Sequence, residues 1–186
     1  GGFHQALGQL GHQCVFASEL DVDLATLYEK NFGLRPAGDI RNVLPESIPD
    51  HDILCAGFPC QPFSKAGDQK GFECPQWGDL FGFIIQILRT KKPTYLIIEN
   101  VPNLVRHDEG KTRKNILHRL RLAGYSVDDG QVSPHDLGVP QKRERAFIVG
   151  SRHPIEDFRW PSKAKDVSTT IRSVLDESPA EAKLLN

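Results

Sequence analysis

The sequence predicts an α/β fold: a central, mostly parallel sheet flanked by helices. Two near-continuous apolar runs, Ile53-Leu54-Cys55-Ala56 and Thr94-Tyr95-Leu96-Ile97-Ile98, have the composition of strands covered on both faces. Around them, apolar residues recur at helical spacing. Strand-like and helix-like stretches alternate along the chain, as βαβ units require. A length of 186 residues suits one domain with a substantial core.

Phe3, Ala6, Leu7 and Leu10 predict an opening helix that Gly11 ends. Cys14-Val15-Phe16-Ala17 is strand-like and leads to Asp21, a side chain suited to cap a helix over 22–32 that Gly33 closes. Ala37-Gly38-Asp39-Ile40 follows as a short strand or extended piece, and 44–52 is a Pro-punctuated connection. The first strong strand then runs into Gly57 and Pro59, which open it into a loop. Residues 65–77 are polar, Gly-rich and aperiodic, a long connection of the kind that serves as a lid.

Asp79 is placed to cap a helix reaching about Arg89, with Leu80, Phe83, Ile84, Ile87 and Leu88 inward. Pro93 forbids its continuation, and the second strong strand ends in Glu99-Asn100-Val101-Pro102. A helix is expected over 111–123 with Ile116, Leu117 and Leu120 inward and Lys and Arg crowding its outer face. Strands at 126–132 and 146–150 complete the set.

Composition narrows the function classes. A hydrophobic share of 39% argues against disorder or a fibre. No apolar run approaches the roughly 18 residues of a membrane span. A net charge of −1 weighs against a general nucleic-acid coat, although a local basic groove depends only on where charges lie. The four cysteines show no C-x-x-C spacing, so neither a zinc site nor a redox pair is expected, and free thiols suit a reducing cytosol. The chain opens on Gly1-Gly2-Phe3 without a strand before it and closes on a polar run, 178–186, so a fragment is expected.

Chemistry concentrates at strand ends, where α/β proteins place their sites. Cys60 lies past the first strong strand between Pro59 and Pro62, which stiffen its backbone. Cys55, inside the strand, fits the ordinary fate of a buried free cysteine instead. Glu99 ends the second strong strand, so neighbouring strands would bring it near Cys60. A carboxyl beside a thiolate in a closed pocket tends to hold its proton and can act as a general acid. In Gln141-Lys142-Arg143-Glu144-Arg145, strand alternation puts Arg143 and Arg145 on one side. Two guanidinia there suit a phosphate or a carboxylate, whereas the same run also reads as a solvated face. Gly1-Gly2 at the head of the first helix, with the acid Glu19 at a strand end, follows the pattern of a Gly-rich turn and a ribose-gripping acid about 20 residues on. Asp39 is suited to accept from an adenine amino group or to cap a turn.

These stretches together resemble the cytosine-5 DNA methyltransferase family of the bacterial restriction-modification type. Gly57-Phe58-Pro59-Cys60-Gln61-Pro62-Phe63-Ser64 is similar to the family's Pro-Cys-Gln nucleophile motif, Glu99-Asn100-Val101 to its Glu-Asn-Val motif, and 141–145 to its Gln-x-Arg-x-Arg motif. Gly78-Asp79-Leu80-Phe81 and 107–112 resemble lesser signatures, and the likeness extends to about Pro154.

The resemblance implies a Rossmann-like fold that binds S-adenosyl-L-methionine, and methylation of a flipped-out cytosine in double-stranded DNA through a covalent Cys60 adduct. It gives Glu99 the role of acid at ring nitrogen 3. Arg145 becomes the candidate to hold the base and favour charge at the thiolate, and Arg143 a candidate for the pocket or Glu99. It assigns Gly1, Gly2, Glu19, Leu20, Asp39, Ile40, Gly57, Pro59 and Leu80 to the cofactor, and Phe58, Gln61 and Ser64 to the base pocket. A catalytic domain over 1–153 lacking its first strand is implied, with 154–186 leading to an absent target-recognition domain. A cytoplasmic setting and a cognate restriction endonuclease go with that type. The competing readings are a tRNA cytosine-5 methyltransferase of the same fold and a non-catalytic DNA-binding or scaffold fragment. A Cys hydrolase would need His107 or His135 as its partner.

Overall fold

The structure, a computed structural model, describes residues 1–58 and 80–162 together with residues 170 and 172. Its four strands, β1 (Ile53–Gly57), β2 (Tyr95–Asn100), β3 (Ser126–Val132) and β4 (Arg145–Ser151), form one sheet in the order β1-β2-β4-β3. Helices α1 (Gly2–Gln9) and α2 (Val22–Phe32) precede the sheet strands, and α3 (Leu80–Lys91) lies between β1 and β2. Short α4 (Asn103–Arg106) and longer α5 (Lys111–Leu122) lie between β2 and β3.

Strand direction follows from what connects the strands. β1 and β2, with α3 between them in the chain, pair in parallel. The link from β3 to β4 contains a single short 3-10 turn, Pro134–Leu137, and no crossover helix. β4 therefore pairs antiparallel with β3, and on its other side antiparallel with β2. β1, β2 and β3 thus point the same way, with β4 inserted against them. The α/β class holds. The expectation of a mostly parallel sheet holds for strand direction but not for pairing, because β4 supplies two of the three ladders and both are antiparallel.

The core lies where α3 and α5 cover the sheet. Phe81, Leu88, Leu96, Ile98, Leu104, Ile116 and Leu120 are all essentially inaccessible. On α3 the buried set is wider than one stripe and includes Phe81 and Ile85, while Phe83 is only half-buried. The Tyr125 hydroxyl donates to the Pro93 carbonyl at 2.7 Å, pinning the end of the α5 turn to the entry of β2.

Several boundaries are set by the residues named from sequence. The Asp21 side chain accepts from the N–H groups of Asp23 and Leu24 at 2.9 and 3.0 Å, and Gly33 closes α2 with φ 69°. The Asp79 cap lies outside the described residues. Cys14-Val15-Phe16-Ala17 is extended but is not a strand. Its backbone bond to another segment runs from the Ala37 N–H to the Ala17 carbonyl at 2.8 Å, and one bond does not make a ladder. The extended piece at 37–39 turns at once into a 3-10 helix, Ile40–Asn42.

β3 carries Asp128-Asp129-Gly130, a poor strand sequence by propensity. Partners on its two faces account for it. Asp129 is gripped by Arg113 of α5 through Nε and Nη2, each at 2.6 Å. On the opposite face the Trp160 indole donates to Asp128 at 3.0 Å and its ring lies over Gly130. A Cβ added at Gly130 would sit 2.7 Å from the Trp160 ring. Gly130→Val should therefore displace Trp160 and cost about 1–3 kcal/mol, read as a lower midpoint in urea unfolding at unchanged slope.

Candidate functional site

β1 and β2 end at one edge of the sheet, and the register there is explicit: Gly57 stands opposite Glu99. The Glu99 carboxylate lies beside the β1 backbone here: a Cβ placed on Gly57 would be in ordinary contact with Glu99 Oε2, at 3.5 Å. β4 runs the other way, so it begins at this edge rather than ending there. Its first residue, Arg145, reaches Glu99 with Nε 2.8 Å from Oε1. The side chains keep 21% and 32% exposure, so the pair is sheltered yet open to an incoming group. Arg145 also donates through Nη1 to the Glu144 carbonyl at 2.8 Å.

From the sequence, Arg143 is a candidate for the pocket or Glu99, and Arg145 for the base and the thiolate; the side chain that meets Glu99 is that of Arg145. Arg143 precedes the strand, is exposed, and its backbone N–H donates to Ser133 Oγ at 3.3 Å. The strand alternation that would have put both guanidinia on one side does not extend back to it, since β4 starts at Arg145.

Asn100 is named in the Glu-Asn-Val motif but given no role from the sequence, yet it ties this edge together. It is buried at 2% exposure, its amide donates to the Phe58 carbonyl at 3.2 Å, and its Oδ1 accepts from the Val101 N–H at 2.9 Å. One side chain thereby fixes both the turn after Glu99 and the backbone just beyond Gly57. The signal available in sequence was a polar residue at a position that strand alternation puts in line with buried Leu96 and Ile98. Phe58 itself, expected in a base pocket, is a core residue here: it is buried and packs against Phe81 at 5.7 Å between ring centroids. Its apolar ring joins the α3 core, and its carbonyl is what faces Asn100. Pro59, Cys60, Gln61 and Ser64 lie outside the described residues, as does the expected lid.

The residues assigned to a cofactor fall into separate groups. Glu19 and Leu20 stand beside Asp39 and Ile40, because Ala17 bonds Ala37 and the Ser18 hydroxyl donates to the Gly38 carbonyl at 2.5 Å. Glu19 uses Oε1 to accept from the Asp21 N–H at 3.1 Å, and Leu20 is 50% exposed. A carboxylate able to accept from ribose hydroxyls beside an exposed apolar side chain for a base is a pairing that fits a nucleoside. Asp39 caps its 3-10 turn through the Arg41 N–H at 2.9 Å and is forked by the Arg41 side chain. The Arg41 side chain, and then its backbone N–H, hold the Asp39 carboxyl below the usual carboxylate range.

Gly1 and Gly2 stand at the head of α1. Gly1 lies against the ring of Phe32, the last residue of α2, whereas Glu19 and Leu20 precede its first. α1 buries none of its residues and is held by His4, whose Nδ1 lies 2.7 Å from the Tyr28 hydroxyl and whose ring stacks on Phe32 at 4.2 Å. Leu80 and Ile40 are both partly buried against the core.

Comparison with known proteins gives this geometry a family. The sequence profile described as C-5 cytosine-specific DNA methylase matches residues 1–185. Type II methyltransferase M.MspI of Moraxella sp is 44% identical over 176 residues, 95% of this chain and 42% of that protein. Type II methyltransferase M.HhaI of Haemophilus parahaemolyticus is 43% identical over 177 residues, 94% of this chain and 54% of that protein. The chain thus spans about half the length of these curated relatives. Among solved structures, a DNMT2 mutant from Spodoptera frugiperda superposes with a TM-score of 0.73 at 22% identity, covering 96% of this chain and 57% of that one. The S. pombe Dnmt2 methyltransferase gives 0.72 at 23% identity, covering 96% and 58%. At those identities the likeness is one of fold.

Two outcomes follow from this edge. Asn100→Ala leaves the Phe58 carbonyl and the Val101 N–H without their partner and should cost about 1–3 kcal/mol in denaturant unfolding. Burial, and then the neighbouring Cys14, push the Cys55 thiol up to about 11. Below that value it stays protonated and poorly nucleophilic. Iodoacetamide at pH 8 should leave Cys55 unmodified in the folded protein, as read by peptide mass spectrometry, with reaction appearing only as pH nears 11 or on unfolding.

Proposed function

The chain belongs to the C-5 cytosine-specific DNA methylases, and we propose that the whole protein transfers a methyl group to carbon 5 of a cytosine extruded from duplex DNA, with Cys60 as the attacking residue. The observation that carries this reading is the Glu99–Arg145 pair standing at the register position of Gly57. Cys60 is three residues further along the chain. Three residues span at most about 10 Å, so the tether keeps the thiol in the neighbourhood of Glu99.

Cytosine carbon 5 is too poor a nucleophile to take a methyl group unaided, and covalent catalysis solves this. The Cys60 thiolate adds to ring carbon 6, forming the S–C bond as the 5,6 double bond opens. Glu99 supplies the hydrogen bond and proton at ring nitrogen 3 that let the ring accept the electron pair. Carbon 5 then has enamine character and takes the methyl group. A base takes the carbon 5 proton, the C–H electron pair restores the 5,6 double bond as the S–C bond breaks and Cys60 leaves as thiolate, and ring nitrogen 3 returns its proton to Glu99. Arg145 fixes the rotamer of Glu99, and Asn100 fixes the backbone from which the Cys60 loop departs. Such preorganisation lowers the barrier because the groups need no rearrangement when charge develops.

S-adenosyl-L-methionine supplies an electrophilic methyl group on a sulfonium when bound. Glu19, Leu20, Asp39 and Ile40 would hold its nucleoside, with Gly57, Pro59 and Leu80 toward the methyl end. The cytosine has to leave the duplex because its ring carbons are stacked, and that step takes a few kcal/mol, offset by contacts in the pocket. The family description and the identities of 44% and 43% to type II methyltransferases favour DNA over tRNA. A cognate restriction endonuclease is the partner this type of enzyme implies. Among the described residues no helix is long and apolar enough to cross a membrane.

Duplex DNA carrying 5-fluorocytosine tests the reading, because fluorine cannot be removed as a proton and the adduct is trapped. A denaturing gel should show a cofactor-dependent covalent complex with wild type and none with Cys60→Ser. Glu99→Gln should slow methyl transfer about 10²–10⁴-fold while remaining folded. An adduct that survives Cys60→Ser would overturn the assignment of the nucleophile, and trapping on RNA alone would replace the substrate.

A further inference from the structure

The basic residues of α5 take no part in the site at the sheet edge. Lys111, Lys114, His118 and Arg121 recur at steps of three and four, so they line one face of the helix. That face is opposite the one carrying buried Ile116, Leu117 and Leu120, and all four residues are exposed. The other two arginines of α5 are used locally: Arg113 grips Asp129, and Arg119 lies over the Phe81 ring at 4.9 Å. Lys111 makes an exposed bridge to Asp108 at 3.3 Å, whereas Lys114, His118 and Arg121 have no ion-pair or hydrogen-bond partner among the described residues. α5 contains no acid, and Asp108 and Glu109 precede the helix rather than lie on it. Lys114 even stands in the first turn, where the helix dipole disfavours a cation. Nothing within the helix offsets that, and such a local conflict marks a surface shaped by something outside it.

We propose that this stripe is a phosphate track, a second and sequence-independent contact for duplex DNA outside the cleft that takes the target base. The inference rests on the reading that duplex DNA is the substrate, and adds a surface for it. From Lys111 to Arg121 the helix rises about 15 Å. Over that length one DNA strand presents about four phosphates. The course of α5 ties the stripe to the site. The helix begins after β2, whose end carries Glu99, and the turn that follows it is pinned by Tyr125 at the entry of β2. The stripe therefore starts at the site edge, where exposed Arg106 ends α4, and leads away along the side of the sheet. With a net charge of −1 over the whole chain, positive potential is confined to such a face. Lysine ammonium groups on flexible stems suit phosphate oxygens as point charges and carry no sequence information.

The test uses the whole protein and two duplexes that carry the target, one long and one ending just beyond it, with binding read across a salt series. Each phosphate contact contributes about 0.9 to the slope of log affinity against log salt. A variant with Lys111→Gln, Lys114→Gln and Arg121→Gln together should therefore lose about 2–3 of that slope on the long duplex. Lys114→Gln alone should lose about 1, so the result does not depend on the triple variant folding. On the short duplex, binding and single-turnover methyl transfer should match wild type. An unchanged slope on the long duplex would overturn the track. So would an equal loss on both duplexes, which would place the stripe in the target cleft. A lower thermal unfolding midpoint without DNA, with an unchanged salt slope, would assign the stripe to packing within the protein and overturn DNA as its occupant. Wild type that binds neither duplex would sink the substrate reading itself. Wild type that binds both, with the variants at the wild-type slope, would sink the track alone.

Discussion

The site depends on one strand running against its neighbours. β1 and β2 deliver Gly57 and Glu99 to a common edge because they are parallel and in register. A third parallel strand would have brought its own C-terminal end there. β4 instead brings its beginning, and with it the last residue of the Gln-Lys-Arg-Glu-Arg run. The 2.8 Å contact between Arg145 and Glu99 follows from that reversal. The reversal in turn follows from a β3–β4 link with only a short 3-10 turn and no helix to carry the chain across the sheet.

Around that edge, polar side chains do the positioning and apolar ones stay in the core. Asn100 is buried with its amide and carbonyl both used, so its orientation is fixed by the cost of leaving either unmade. Phe58 shows the division within a single residue: its ring packs on Phe81 in the core, while its carbonyl takes the Asn100 hydrogen bond. The same economy appears at Asp39, where a turn-capping carboxylate is shaped by the guanidinium two residues on.

β3 shows how far partners override local preference. Asp128, Asp129 and Gly130 would each weaken an isolated strand. Arg113 from α5 and Trp160 from the segment after β4 take the two acids on opposite faces, and the missing side chain at Gly130 makes room for the indole. Strand alternation puts Asp128 and Asp129 on opposite faces; nothing local encodes what meets them.

The sequence by itself determined the helix and strand succession, the Asp21 and Gly33 boundaries, the parallel pair of apolar strands and the family, because these are written in periodicity, turn chemistry and contiguous motifs. Glu99 at a strand end was legible for the same reason. Only the tertiary structure decided that Arg145 rather than Arg143 meets Glu99, that Asn100 holds the Phe58 backbone, and that Cys14–Ala17 stays unladdered. Each of these turns on which segment lies alongside which. Strand direction and register are set by connections and packing between residues far apart in the chain, and no local pattern encodes them.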